Sequence, residues 1–261
     1  MKIHPSAIVH EDASIPDSSE VGPFCVVGKD VVLGDNVKLI AHVFLDGDTY
    51  IGDGTVVYPF STIGLVPQDL KYEGEQTKVI IGKRNIIRES VTIHRGTKAT
   101  GVTSIGDRNL LMVGSHIAHD CKIGNEVILA NVVTLAGYVE IENHVILGGQ
   151  VGVHQFVRVG LCAMVGAGSM VSQDILPYSL SVGDRCKLKG LNIIGLKRRN
   201  FSIDEVNALK KAFKLLLSEN LRFGEALDQL KNDKKLIRFE AVSHLTRFLE
   251  TSKRGFARAR D

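Results

Sequence analysis

Every sixth residue from Ile3 to Val171 belongs to one aliphatic series, and that period excludes the commonest elements at once. Of the 29 positions in the register, 26 are Ile, Leu or Val, and the exceptions are Asp69, Glu75 and Ala99. An amphipathic helix repeats its apolar face about every 3.6 residues and a half-buried strand every second residue, so neither sustains a strict six. A chain that keeps returning to one interior column is a β-solenoid, in which each coil buries its neighbour's apolar edge.

The residue after the aliphatic position is Gly eleven times, as at Gly22, Gly28, Gly34, Gly124 and Gly166. Two physical reasons fit: relief of crowding between coils, or a positive φ where the coil turns its corner. Two stretches, 66–78 and 98–104, lose the aliphatics but keep the phase, which resumes at Ile81 and Ile105. They read as excursions from an intact solenoid, and excursions from a rigid scaffold commonly carry function. The first contains Gln68-Asp69-Leu70-Lys71-Tyr72, polar enough to meet a ligand.

After about residue 190 the pattern turns helical. Ser202-Ile203-Asp204-Glu205 reads as a capping box, followed by Val206, Leu209, Phe213, Leu216 and Leu217 at helical spacing. Ala241, Val242, Leu245, Phe248 and Leu249 mark a last helix. The division is therefore a solenoid over 1–190 and a helical domain over 191–261 that caps its open end.

Residues 185–261 hold 19 Lys plus Arg against 9 Asp plus Glu, a charge of +10, while the rest of the chain carries −7. A basic segment of that size suits an anionic partner, or is simply a solvated helical surface. Cys25, Cys121, Cys162 and Cys186 lie far apart without CxxC spacing, so they read as reduced thiols rather than a disulfide framework or a zinc site. No signal segment precedes the first repeat and no apolar run approaches membrane-spanning length, so a cytoplasmic protein is expected.

The register resembles that of the hexapeptide-repeat acyltransferases, whose three-hexad turns build a left-handed triangular prism. The resemblance implies an all-β, left-handed parallel β-helix with a C-terminal α-helical domain. A turn of 18 residues stacks Ala118-His119-Asp120 beneath Ala136-Gly137-Tyr138 and these beneath His154-Gln155-Phe156, with coils ~4.8 Å apart. His119, Gly137 and Gln155 then form one column. An imidazole followed by a carboxylate offers a general base and a group to orient it. A glycine above the imidazole leaves room there and an accessible N–H, the kind of donor that stabilises an oxyanion.

The runs 87–97, His116 to Cys121, Val153 to Phe156 and Gly195 to Arg199, together with Gln68 to Tyr72, are similar to those of the UDP-N-acetylglucosamine 3-O-acyltransferases of lipid A biosynthesis. That resemblance covers nearly the whole chain. It implies a homotrimer with clefts between prisms, acyl carrier protein as the donor's carrier, and UDP-N-acetylglucosamine as acceptor. It implies no cofactor beyond the carrier's phosphopantetheine, no metal and no nucleic acid. His119 would be the base, Asp120 its orienting group and Gly137 the oxyanion donor. Gln68, Asp69, Lys71, His94, His116, Tyr138, His154, Gln155, Asn192, Arg198 and Arg199 would bind substrate, and Ala167 and Arg185 would lie along the acyl chain. Tyr138 stands where better-known members carry His, and Ile194 where they carry Glu. The competing readings are N-acylation of a 3-amino sugar nucleotide, a γ-type carbonic anhydrase using His94, His116 and His119 on zinc, and a non-catalytic solenoid.

Overall fold

A computed structural model describes residues 2–218 and 220–256, and in it the aliphatic series becomes one interior column. Its aliphatic members from Val21 to Val171 are at most 4% exposed and form a single apolar cluster. Each such side chain contributes about 1.5–3 kcal/mol by leaving water. Strands of two to five residues line three sheets of 11, 9 and 7 strands, the faces of a left-handed parallel β-helix. The first face begins with Lys2–Ile3, the second with Ile8–Val9 and the third with Val31–Leu33.

Regular coils pair residues 18 apart, such as Lys2 with Glu20 and Val37 N–H with Ser19 Oγ. Across the first excursion the interval becomes 30, as between Asn85 and Thr55, and across the second 24, as between Asn109 and Asn85. Both insertions are whole multiples of six, which is why the phase survives them. Both also leave at the same corner: one runs from Leu65 to Lys78 and the other from His94 to Val102, each between the second and third faces.

The structure decides between the two reasons for glycine after the aliphatic. Those glycines, apart from Gly64, keep ordinary φ values, and a Cβ at Gly22 would lie 1.8 Å from the Ile40 carbonyl oxygen of the next coil. Close approach of the coils is the requirement. Positive φ falls instead three residues before the aliphatic, on residues with side chains: Phe24, His42, Asp120, Tyr138 and Phe156.

The C-terminal end of the first face is closed by two longer strands. Ser179–Val182 continues the face in parallel, and Lys187–Leu191 returns antiparallel to it. Four helices follow: α1 (Ile193–Arg198), α2 (Ile203–Leu216), α3 (Phe223–Asn232) and α4 (Glu240–Glu250). The capping box before α2 is formed, with Ser202 Oγ accepting from Glu205 N–H and Glu205 Oε2 from Ser202 N–H. Tyr178 and Leu188 pack in one cluster with Leu209, Leu230 and Leu245, so the helical core is continuous with the last coil. All four cysteines are free and buried, and burial pushes the Cys121 thiol up to about 12. Among the described residues no helix is long and apolar enough to cross a membrane. Glu219 and residues 257–261 of the basic segment lie outside the described residues.

Candidate active site

The second face ends each coil at the corner from which both excursions leave, and there the structure gathers His94, His116, His119, Asp120, Gly137 and Tyr138. His119 Nδ1 lies 2.7 Å from Asp120 Oδ2, and their side chains are 7% and 0% exposed. An ionised carboxylate can only accept, so in the neutral ring Nδ1 carries the proton and Nε2 keeps its lone pair. A Cβ at Gly137 would sit 2.6 Å from His119 Cε1 and 2.7 Å from Nε2, so this glycine lies directly over the ring. Among the described residues the Gly137 N–H meets no acceptor.

A buried carboxylate is costly unless donors surround it. Asp120 has them: Thr97 N–H at 3.1 and 3.2 Å, Thr97 Oγ1 at 2.8 Å and the Thr100 hydroxyl. Its own N–H donates to Thr103 Oγ1 at 2.8 Å. Burial by itself would raise this carboxyl, but the bonds from Thr100, His119 and Thr97 outweigh it and hold the group below its ordinary range. All three threonines belong to or border the second excursion. Sequence reading passed over them, although hydroxyl side chains at 97, 100 and 103, in and beside the 98–104 interruption, were a visible signal.

His94 and His116 meet edge to face with centroids 5.0 Å apart. Burial pushes the His94 imidazole down to about 4, with His116 and His119 adding to it, and burial also lowers His116. His116 Nδ1 bonds Thr92 Oγ1 at 2.6 Å, whereas His94 Nδ1 is buried with no partner among the described residues. Tyr138 stands edge-on to His119 at 5.2 Å and stacks on Phe156 at 4.6 Å, and its hydroxyl is 3.2 Å from Thr97 Oγ1. His154 and Gln155 follow on the next coil of the same corner, exposed.

Of the first excursion, Gln68 and Lys71 are exposed and Asp69 accepts from the Lys71 N–H at 3.0 Å. Glu75 accepts from Lys98 N–H at 3.0 Å, so the two excursions are tied together. The remaining expected residues sit elsewhere. Asn192 is 8% exposed and caps α1, accepting from Gly195 N–H and donating to the Cys162 carbonyl. Arg199 lies at the corner between the third and first faces, where Nη1 is 2.7 Å from His144 Nδ1 and 3.5 Å from Glu126 Oε2. Arg198 and Ile194 are exposed on α1, Ala167 is exposed at the corner between the first and second faces, and Arg185 is exposed in the closing hairpin. Among the described residues no three His, Cys, Asp or Glu side chains converge as metal ligands would.

A left-handed β-helix with a buried histidine–carboxylate pair beneath an open glycine N–H is the build of a hexapeptide-repeat acyltransferase. A family model described as UDP-N-acetylglucosamine O-acyltransferase, domain 2, matches residues 174–257, and the acyl-[acyl-carrier-protein]–UDP-N-acetylglucosamine O-acyltransferase of Thermodesulfovibrio yellowstonii is 48% identical over 98% of this chain and 99% of its own. The chain belongs to the UDP-N-acetylglucosamine O-acyltransferase family. Two crystal structures of UDP-N-acetylglucosamine acyltransferases superpose with a TM-score of 0.95. That from Moraxella catarrhalis is 45% identical over 99% of this chain and 100% of its own. That from Francisella novicida is 40% identical over 98% and 94%. The carbonic anhydrase and scaffold readings lose their footing to a full-length match of this kind.

Proposed function

We propose that the chain transfers a 3-hydroxyacyl group from acyl carrier protein to the 3-hydroxyl of UDP-N-acetylglucosamine, the first step of lipid A biosynthesis. The observation that carries this reading is the 2.7 Å His119–Asp120 pair lying under Gly137. His119 Nε2 removes the proton of the sugar hydroxyl as its oxygen attacks the thioester carbonyl, and the Gly137 N–H holds the oxyanion. Collapse of the intermediate breaks the carbon–sulfur bond, and the imidazolium returns its proton to the departing pantetheine thiolate. The acyl group arrives on phosphopantetheine, and no further cofactor takes part.

The binding residues lie on three different corners of one prism. His119 is at the second-to-third corner, Ala167 at the first-to-second and Arg199 at the third-to-first, so a single prism cannot converge them on one substrate. A neighbouring copy must complete the site, which supports the homotrimer. The exposed ladder Phe24–His42–Phe60, with centroids 4.9 and 5.1 Å apart, supplies an apolar edge for such packing. A light-scattering mass of one chain would sink that assembly.

The chemistry is tested by mass spectrometry of products from a panel of acyl carrier protein thioesters offered UDP-N-acetylglucosamine or its 3-amino-3-deoxy analogue. The expected product is the 3-O-ester, and His119→Ala should lower kcat by about 10²- to 10⁴-fold. Amide formed on the analogue, with no ester on UDP-N-acetylglucosamine, would overturn the assignment of the acceptor. Undiminished turnover by His119→Ala would overturn the base.

A further inference from the structure

We propose that Thr97, Thr100 and Tyr138 are positioning residues for the transfer: two hydroxyls brought in by the inserted hexad, with the Tyr138 hydroxyl of the coil above, hold Asp120 as an anion aimed at His119 Nδ1. The inference rests on His119 acting as the base, and it gives the second excursion a chemical purpose.

Counting hydrogens sets the direction of the chain. Thr97 Oγ1 has one proton and two lone pairs. The proton goes to Asp120 Oδ2 at 2.8 Å, because a carboxylate is the strongest acceptor within reach. One lone pair takes the Ala99 N–H at 3.3 Å, and the other faces the Tyr138 hydroxyl at 3.2 Å, so Tyr138 is the donor there. The polarity therefore runs from Tyr138 O–H to Thr97, from Thr97 to Asp120, and separately from His119 Nδ1–H to Asp120. Each donor favours the ionised carboxylate, and only the ionised carboxylate keeps the imidazole proton on Nδ1. Thr100 closes the other oxygen, Oδ1, beside the Thr97 N–H.

Nothing in a plain coil would do this. The coil below His119 is longer by one hexad, and that hexad is what carries Thr97 and Thr100 up to a carboxylate on the next coil. Gly96, where a Cβ would lie 2.4 Å from the Val102 nitrogen, lets the two ends of the insertion pass closely enough to close the loop. Tyr138 ties the same network to the coil above. Its ring is held on one side by Phe156 and set edge-on to His119, so its hydroxyl has one direction in which to point.

The test uses Thr97→Val, which keeps the shape and deletes the hydroxyl, with Thr97→Ser, Thr100→Val and Tyr138→Phe beside it. Thr97→Val should lower kcat about 10- to 100-fold and leave KM for the sugar nucleotide within about twofold. The limb on which kcat/KM rises with pH reports loss of the proton from the base, His119; a carboxylate short of one donor accepts more strongly from Nδ1–H and favours the imidazolium, so that limb should move upward by about half a unit to one unit. Thr97→Ser should restore most of the rate, and Tyr138→Phe should shift the same limb in the same direction by less. In an Asp120→Asn background, Thr97→Val should cost less than about twofold, since the group it supports is gone. An unshifted limb, or an equal cost in both backgrounds, overturns the proposal. If Thr97→Val does not fold, Tyr138→Phe and Thr100→Val decide it by the same limb. A wild-type protein that forms no acylated sugar nucleotide defeats the functional reading itself, before any variant is compared.

Discussion

At the corner between the first and second faces, Phe24, His42 and Phe60 hold φ at 57°, 51° and 64°. At the corner between the second and third faces, Asp120, Tyr138 and Phe156 hold it at 60°, 62° and 64°. The backbone is the same, and so is the habit of stacking rings: Phe24 on His42 at 4.9 Å, Tyr138 on Phe156 at 4.6 Å. The environments differ. Phe24 and Phe60 are 59% and 62% exposed, whereas Asp120 is 6% exposed and wrapped by an excursion that the other corner lacks. The prism supplies a repeating left-handed turn, and the inserted hexads convert one of its three corners into a polar interior. The period places His119 beneath Gly137, and the break in the period supplies the donors around Asp120.

The sharpest way to break that contrast is to add one carbon at the second-to-third corner. Gly137→Ala would place a Cβ 2.6 Å from His119 Cε1, and the imidazole can yield only by leaving Asp120. Turnover should fall by about 10²- to 10³-fold and the melting temperature by a few degrees, since Asp120 loses a buried donor, measured as initial rates beside a thermal melt. A rate within a few-fold of wild type would show that the ring's position is not what the corner protects. By contrast, Gly149, beside the corner between the first and second faces, faces only the Asn131 carbonyl oxygen at 3.5 Å, an ordinary contact.

A gentler probe is pH. His94 faces His116 and His119, and burial keeps it neutral down to about 4 against an ordinary value of 6.5. Between those values the unfolded chain binds more protons than the folded one, so stability rises with pH across that window. The stabilising contribution is complete above about 6.5 and is lost as pH falls towards 4. Melting temperature followed over that range should drop, and His94→Gln should flatten the drop. An unchanged slope would mean that the polar interior of this corner is not built around a neutral histidine.

How far this was legible in the sequence follows from the same contrast. Wherever coils are regular, 18 residues separate neighbours, so the column of His119, Gly137 and Gln155 and the buried aliphatic core follow from counting. The two excursions were also visible, since their lengths preserve the phase. What counting cannot give is where an excursion goes once it leaves the coil. Thr97 reaches Asp120 across 23 positions, an interval set by loop closure and not by the repeat. The same holds for Arg199, whose partners Glu126 and His144 are brought to it by the turn of the chain into α1. The glycines taught a narrower lesson. Their spacing was plain, but crowding and positive φ leave the same trace in a sequence, and the ordinary φ values and the approach of the Ile40 carbonyl to Gly22 separate them.

The smallest expected effect concerns the turn that both corners share. Val132 occupies it at φ +62°, in the same first-to-second corner column as Phe60, and is 52% exposed. A β-branched residue pays about 1–2 kcal/mol for that conformation, while glycine adopts it freely but loses about 0.5–1 kcal/mol of chain entropy on folding. Val132→Gly should therefore stabilise the chain by up to about 1 kcal/mol, a rise of about 2–4 °C in melting temperature. Tyr138→Gly makes the same backbone change at φ +62° but removes the stack on Phe156 and the bond to Thr97, so it should destabilise. Opposite signs for one substitution at one backbone angle would show that the first corner is held by the coil alone and the second by its side chains. Equal signs would mean that the turn, and not its occupants, sets the stability of both.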